Sequence, residues 1–171
     1  MKILVCAFEY PPDYTSGVGN VADNVVNQLQ EIGVNCIVCS PISGEVQLCD
    51  KSLVKKMYNY RPLYHLYKIL YFWHKASRYI KKNSGKYDVI WLHNPNPLSF
   101  RSTFQKTLIT IHTTHYGYPS RSVYVSFMSR LEKGFYENVN CKFTAVSPQV
   151  CRELEELGVN KERITYIPNG V

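Results

Sequence analysis

Continuous apolar runs and helical stripes alternate along the chain, and together they predict its secondary structure. Short runs rich in Val, Ile and Leu are typical of strands that are buried on both faces of a parallel sheet. Such runs occupy residues 3–8, 35–40, 89–92, 108–111, 143–146 and 163–167. A short edge strand is expected near 45–49, within an otherwise irregular stretch from 41 to 60.

Segments with helical periodicity lie between these runs. Apolar residues recur at helical spacing from Val18 to Ile32, and Gly33 ends that helix. Residues 62–82, 118–138 and 148–157 predict three further helices, the last opened by Ser147 as N-cap and Pro148. This alternation indicates an α/β fold: a doubly wound, mostly parallel, Rossmann-like sheet with right-handed crossovers.

The composition suits one globular domain and excludes several classes of protein. The chain has 171 residues, of which 45% are hydrophobic. No apolar run approaches the roughly 20 residues of a membrane-spanning helix, and Glu9 ends the first run too early for a signal peptide. We therefore expect a cytoplasmic protein with reduced cysteines. Cys36 and Cys39 fall on opposite faces of one predicted strand, which excludes a shared metal or disulfide.

Polar residues and glycines follow the predicted strands at their carboxyl ends, where doubly wound sheets bind ligands. The segments that this rule selects are 10–19, 93–97, 112–117 and Ser147. Imidazoles at such an edge can hydrogen-bond to a sugar hydroxyl, although His93, His112 and His115 could also be ordinary loop histidines. Metal binding by His112 and His115 is not expected, because no Cys or carboxylate follows at ligand spacing.

Gly17 and Gly19 open the first predicted helix. Their pattern resembles a dinucleotide fingerprint, but eight residues separate the strand from Gly17 and no acidic residue ends the second strand. Glycines at a helix N-terminus nevertheless allow a phosphate to approach free N–H groups. The sequence is compatible with two interpretations of this loop, an anion-binding site and a simple turn.

Several motifs occur in a characteristic order along the chain. They are Lys2-Ile-Leu-Val-Cys, Tyr10-Pro-Pro, Ser16-Gly-Val-Gly, Asp88-Val-Ile-Trp-Leu-His, Leu108-Ile-Thr-Ile-His-Thr, Thr144-Ala-Val-Ser and Ile167-Pro-Asn-Gly-Val. Together they resemble the N-terminal domain of a family 4 glycosyltransferase of the GT-B fold. Ser16 departs from the family's glycine loop, which usually begins Gly-Gly.

The resemblance implies a retaining hexosyltransferase that moves a sugar from a nucleotide-sugar donor to an acceptor, with no metal and no cofactor beyond that co-substrate. Residues 1–171 would form the Rossmann-like acceptor-side half. The donor-binding C-terminal domain is absent from the chain, so the isolated domain is expected to be inactive. A stand-alone Rossmann-like module that binds a nucleotide or an anionic lipid headgroup is the competing hypothesis.

The resemblance also assigns roles to individual residues. His112 would be catalytic and hydrogen-bond the donor sugar near the reacting carbon. The residues expected near the donor phosphate and sugar are Ser16, Gly17 and Gly19. The residues expected to bind the acceptor, a sugar or a lipid-linked glycan, are Tyr10, His93, Asn94, His115 and Tyr116.

The positive charge of the chain is concentrated in one segment. Residues 51–86 contain ten Lys or Arg and no Asp or Glu, whereas the rest has ten cations and thirteen anions. A basic stripe along the second helix is formed by Arg61, Lys68, Lys75 and Lys82, and the aromatics expected on or beside it are Tyr64, Tyr71, Phe72 and Tyr79. This combination suits an anionic membrane surface at the inner face, with a solvated face as the alternative. No nucleic-acid motif accompanies the charge, so no nucleic-acid partner is expected.

Overall fold

Seven strands and four α-helices form in the residues that the computed structural model describes: 1–12, 16–50, 61–100 (backbone alone for 61–65), 106–118 and 122–169. The strands are β1 (Lys2–Ala7), β2 (Asn35–Ser40), β3 (Val46–Gln47), β4 (Val89–His93), β5 (Thr107–Ile111), β6 (Lys142–Ala145) and β7 (Ile164–Tyr166). The helices are α1 (Gly17–Glu31), α2 (Arg61–Asn83), α3 (Val123–Asn138) and α4 (Pro148–Glu156). None of the helices in these segments is long and apolar enough to cross a bilayer.

All strands belong to one parallel sheet with the order β3-β2-β1-β4-β5-β6-β7. The chain starts near the middle, builds outward through β2 and β3, and then returns to extend the sheet in the opposite direction from β4. The switch of direction therefore lies between β1 and β4. This arrangement confirms the predicted doubly wound, Rossmann-like fold.

The two faces of the sheet carry different cores. On one face, Ala22 and Val26 of α1 pack on a cluster that includes Val5 of β1. On the other face, α2, α3 and α4 cover the sheet with side chains that include Phe72, Trp73, Phe135, Tyr136 and Leu154. As predicted, Cys36 and Cys39 point to opposite faces, and all six cysteines are free thiols.

The buried face of α2 is wider than the sequence analysis predicts. Trp73 and Ile80 are buried, and so is Phe72, which was expected beside the basic stripe. The Phe72 ring packs between Phe8, at 5.9 Å, and Trp73, at 5.0 Å between centroids. The side chains of Arg61 and Tyr64 lie outside the described residues.

Helix ends follow from local capping. Ser147 accepts a hydrogen bond from the N–H of Val150 and opens α4, as predicted. The third helix was expected to begin near Tyr118; it begins instead at Val123, where Ser122 is the N-cap. Ile32, predicted as the last apolar residue of the first helix stripe, is 76% exposed because α1 ends at Glu31.

Candidate functional site

The carboxyl ends of β1, β4 and β5 meet at one edge of the sheet, beside the N-terminus of α1. The strand register aligns Ala7 with His93 and His93 with Thr110, so the loops that follow leave the sheet side by side. A cavity of about 330 Å³, here called the edge cavity, lies among these loops and the neighbouring helices. His93, Asn94 and His115 contribute polar groups to its lining. The edge cavity therefore lies where the fold predicts ligand binding.

His93 and His112 contact each other directly at this edge. The Nδ1 atom of His93 lies 3.3 Å from Nε2 of His112, and the two ring planes are nearly parallel, at 26°, with centroids 5.6 Å apart. His93 is only 2% exposed and also packs on the ring of Trp91, with centroids 4.4 Å apart. His112 is half-buried. The two histidines thus leave the sheet at the same edge, as their positions after the strands predict.

Burial keeps both imidazoles neutral at neutral pH. Burial, and to a smaller extent the neighbouring His112, lowers the pKa of His93 to about 3. Burial also lowers the pKa of His112, against a smaller opposing effect of the Glu9 carboxylate. A neutral imidazole has one N–H and one lone pair on its ring nitrogens, so one ring donates and the other accepts. The pair therefore acts through hydrogen bonding rather than through charge.

Asn94 fixes the ends of β4 and β5 relative to each other. Its φ of 45° lies in the left-handed region, which Asn adopts more readily than most residues. Its backbone N–H donates to the carbonyl oxygen of Thr110 at 2.9 Å, and its side-chain Oδ1 accepts from the N–H of His112 at 2.8 Å. Asn94 therefore positions the main chain from which the His112 ring extends.

Glu132 of α3 anchors the loop after β5 through His115. Its two carboxylate oxygens accept from the backbone N–H of His115 at 2.9 and 3.1 Å, and Oε1 lies 2.7 Å from Nδ1 of the same residue. The Glu132 side chain is 4% exposed, whereas that of His115 is 30% exposed. This anchoring orients His115 towards the edge cavity. Across the described segments, no three His, Cys, Asp or Glu side chains are arranged to hold a metal ion.

Glu153 of α4 anchors the same loop through Thr114. The Thr114 hydroxyl donates to Oε2 of Glu153 at 2.7 Å, and the Gln149 amide donates to Oε1 at 2.8 Å. A Cβ at Gly117 would overlap the Glu153 carboxylate, so the loop passes this helix closely. A second cavity, of about 280 Å³, lies between His112 and α4. The anchored loop therefore separates two cavities.

In the glycine loop, the side chain of Ser16 caps the first turn of α1. Ser16 is the N-cap of α1, and its hydroxyl accepts from the N–H of Gly19 at 3.0 Å, which engages an amide that was expected to face a phosphate. A Cβ at Gly19 would lie 2.9 Å from the carbonyl oxygen of Glu9, so this glycine permits close packing of α1 on the end of β1. Gly17 is exposed and has nothing within 4 Å of its Cβ position.

Two of the residues expected to bind the acceptor lie away from the edge cavity. Tyr10 is buried against α1, and its hydroxyl donates to Oδ1 of Asp23 at 2.7 Å. Burial, together with this hydrogen bond, raises the pKa of Tyr10. Tyr116 is exposed, and a hydrogen bond to Glu156 of α4 raises its pKa. In each case the tyrosine hydroxyl binds a carboxylate on a helix, so the side chain does not reach the edge cavity. The position of a tyrosine after a strand does not predict this contact.

The sequence analysis missed both anchoring carboxylates. Glu132 lies between Met128 and Tyr136 on the buried side of α3, and Glu153 lies beside the buried Leu154 on α4. A charged residue at a core-facing position of an amphipathic helix is rare unless it has a partner. That departure from the apolar stripe is the signal that could have identified them.

The outer surface of α2 combines cations with aromatic rings. Lys75 and Lys82 are exposed, and Lys68 is half-buried. The Nζ atom of Lys75 lies 5.3 Å from the centroid of the Tyr71 ring, which stacks on Tyr67. On α3, exposed apolar side chains cluster near its N-terminus: Val123, Tyr124 and Phe127.

Comparisons with known proteins identify the family of the chain and a solved structure with a similar fold. Residues 15–171 match the family model described as Glycosyltransferase Family 4. No curated protein matches the sequence. Among solved structures, the fold is similar to that of HepE from Anabaena in complex with UDP-glucose, with a TM-score of 0.55 and 15% sequence identity. The match covers 100% of this chain and 44% of the HepE chain, so the chain spans less than half the length of that protein.

Proposed function

The chain belongs to glycosyltransferase family 4, and on that premise we propose that it forms the acceptor-side domain of an enzyme that transfers a sugar from a nucleotide-sugar donor to an acceptor. The observation that carries this proposal is the contact between His93 and His112 at the carboxyl edge of the sheet. The neutral, half-buried imidazole of His112, held in contact with the buried ring of His93, suits hydrogen bonding to a hydroxyl group. The chain's match to one half of a GT-B enzyme supports the same reading.

The donor in our proposal is a nucleotide sugar held mainly by a second domain. HepE was determined with UDP-glucose, and the chain covers 44% of that protein, which supports a partner domain outside these residues. Gly17, exposed at the first turn of α1, would face the donor phosphate, where helix N–H groups favour an anion. The chain on its own would transfer little or no sugar, and no cofactor beyond the nucleotide sugar is proposed.

The acceptor in our proposal occupies the edge cavity. Asn94 and His115 line it with polar groups, and Phe8, Trp73 and the buried ring of His93 complete its lining. A mixture of rings and hydrogen-bonding groups suits a sugar, whose faces are apolar and whose edges carry hydroxyls. Tyr10 and Tyr116 support the surrounding structure rather than the acceptor.

His112 is the catalytic residue in our proposal. Its half-buried imidazole would hydrogen-bond the donor sugar and stabilise the charge that develops as the leaving group departs. Burial lowers its pKa, so a neutral ring performs this task at neutral pH. We further propose that the sugar keeps its anomeric configuration during transfer.

The surface of α2 supports contact with an anionic membrane on its cytoplasmic side, and hence a lipid-linked acceptor. Lysines of the basic stripe would approach lipid headgroups, where each Lys contributes about 1 kcal/mol. The exposed ring of Tyr67 on α2 would enter the interface, where amphipathic side chains are favoured. Ile69 and Trp73, on the core-facing side of α2, line the edge cavity, so the helix that carries the basic stripe also borders the proposed acceptor site.

A direct test is to supply labelled nucleotide sugars and glycan or lipid-linked acceptors to the protein that carries this chain with a donor-binding domain. We expect labelled sugar in the acceptor, with the anomeric configuration of the donor by NMR. Binding of nucleotide or anionic lipid without any transfer would favour the stand-alone binding module. An inverted product would remove the retaining mechanism but not the transfer.

A further inference from the structure

The proton shared by His93 and His112 has two possible arrangements. Either Nδ1 of His93 carries it and donates to Nε2 of His112, or Nε2 of His112 carries it and donates to Nδ1 of His93. Each arrangement also fixes the opposite nitrogen of each neutral ring, because a neutral imidazole carries one proton. The two arrangements therefore give His112 opposite chemical character on Nδ1, the atom that the pair leaves available.

The far nitrogen of His93 distinguishes the two arrangements. Nε2 of His93 is buried and has no hydrogen-bond partner among the described residues. A proton there would be a buried donor without an acceptor, which is energetically unfavourable. Buried N–H groups without an acceptor are rarer in proteins than under-satisfied acceptor atoms. The arrangement that leaves only a lone pair on Nε2 places the proton of His93 on Nδ1.

We propose that His93 donates from Nδ1 to Nε2 of His112 and thereby keeps the proton of His112 on its own Nδ1, so that His93 is a positioning residue for His112. The contact of the His93 ring with the Trp91 ring, at 4.4 Å between centroids, holds the donor ring in place. Asn94 holds the receiving residue, because its Oδ1 accepts from the N–H of His112. The main chain of His112 is thus held by Asn94, and its ring is held by His93, at the end of β4.

The consequence is that His112 presents a hydrogen-bond donor at Nδ1. Such a donor matches an oxygen of the ligand, in particular one on which negative charge develops. This consequence rests on the proposed function, whereas the tautomer itself does not. A ring that carried the proton on Nε2 would instead offer only a lone pair to the ligand.

Imidazole nitrogen NMR tests the tautomer without any substrate. The 15N-labelled 171-residue chain at pH 7 should show His112 and His93 as neutral rings protonated on Nδ1. Assignment follows from the loss of the corresponding signals in single variants of each histidine. A proton on Nε2 of His112 in the unmodified chain would overturn the proposal. Absence of sugar transfer would count against the proposed function and leave this result unaffected.

Two variants of His93 separate positioning from packing. His93→Asn places an amide nitrogen near the position of Nδ1, whereas His93→Gln places it near that of Nε2. We expect the Asn variant to keep the His112 proton on Nδ1, and the Gln variant to lose this preference. In the transfer assay, kcat of the Gln variant should fall about 10- to 100-fold below that of the Asn variant, with KM for the donor unchanged. Equal kcat and equal tautomers in the two variants would show that His93 acts only through packing.

Discussion

Gly17 and Gly19 lie two positions apart at the start of α1, but only Gly19 is packed closely against neighbouring atoms. We expect Gly19→Ala to lower the free energy of unfolding by about 1–3 kcal/mol, because its Cβ would press on the carbonyl oxygen of Glu9. Gly17→Ala is the matched control, since its Cβ meets nothing within 4 Å and should change stability by about 0.5 kcal/mol or less. Urea denaturation measures both values, and equal losses would contradict the packing role of Gly19.

His93 makes the stability of the fold depend on pH. In the unfolded chain it takes up a proton near its ordinary pKa of 6.5, whereas in the folded chain its pKa is about 3. The unfolded state therefore binds more protons between these values, and stability falls by about 1.4 kcal/mol per pH unit as pH drops through this window. Half-buried His112, whose pKa is also lowered, acts in the same direction.

Replacement of His93 should remove its part of this dependence. We expect His93→Asn to be less stable than the unmodified chain at pH 7.5, and the difference to shrink as pH falls to 4.5. Urea denaturation at several pH values measures the difference directly, and carboxylates common to both proteins cancel. Parallel pH curves would mean that His93 takes up its proton as readily in the folded state as in the unfolded state.

At the scale of single residues, position after a strand predicted the edge of the sheet but not the direction of each side chain. His93, Asn94 and His115 line the edge cavity as that rule suggests. Tyr10 and Tyr116 do not, because their hydroxyls bind carboxylates of neighbouring helices. Such long-range partners depend on how the helices pack, which local sequence does not encode.

The loop after β5 is the element on which the site depends most. We expect Glu132→Leu to free the N–H of His115 and to increase hydrogen exchange at that amide at least tenfold. The unsatisfied donor should also cost about 1–3 kcal/mol of stability. Glu137→Leu, on the exposed side of the same helix, is the control and should leave exchange at His115 unchanged. Unaltered exchange in the Glu132 variant would show that the loop does not need this anchor.

Helix α2 carries the proposed membrane contact, and charge neutralisation tests it. The combined variant Lys68→Gln, Lys75→Gln and Lys82→Gln should bind anionic vesicles on the order of 100-fold more weakly, given about 1 kcal/mol per lysine. A control variant removes the same charge from other elements: Lys133→Gln, Lys142→Gln and Lys161→Gln. Vesicle sedimentation at low and high salt compares them. Equal weakening by both variants, or binding that does not change with salt concentration, would contradict the proposal that α2 is a specific membrane-binding surface.

At the scale of elements, apolar periodicity located the strands to within one or two residues, since the five inner strands lie in the core. The start of α3 was predicted too early because aromatic residues before Ser122 continue the apolar pattern. Phe72 was expected beside the basic stripe of α2, but it packs in the core together with the neighbouring Trp73. The apolar stripe of a helix predicts which face is buried, but it does not predict how wide the buried face is.

For the whole molecule, strand and helix alternation was sufficient to predict a doubly wound sheet. The switch of direction between β1 and β4 brings the end of β1, the start of α1 and both histidines together. The fold could be predicted because parallel sheets allow few connections. The contact between His93 and His112 could not be predicted without the strand register. The two glutamate anchors could not be predicted without knowing how α3 and α4 pack.

The most direct test of the account is the transfer rate of a His112→Ala variant in the protein that carries this chain with its donor-binding domain. We predict that kcat falls about 100- to 1000-fold, as expected when a group that stabilises developing charge is removed. His74→Ala, at an exposed position on α2, should retain full activity. Transfer by the His112 variant at the unmodified rate would contradict the account, because the sheet edge would then not be the site of chemistry.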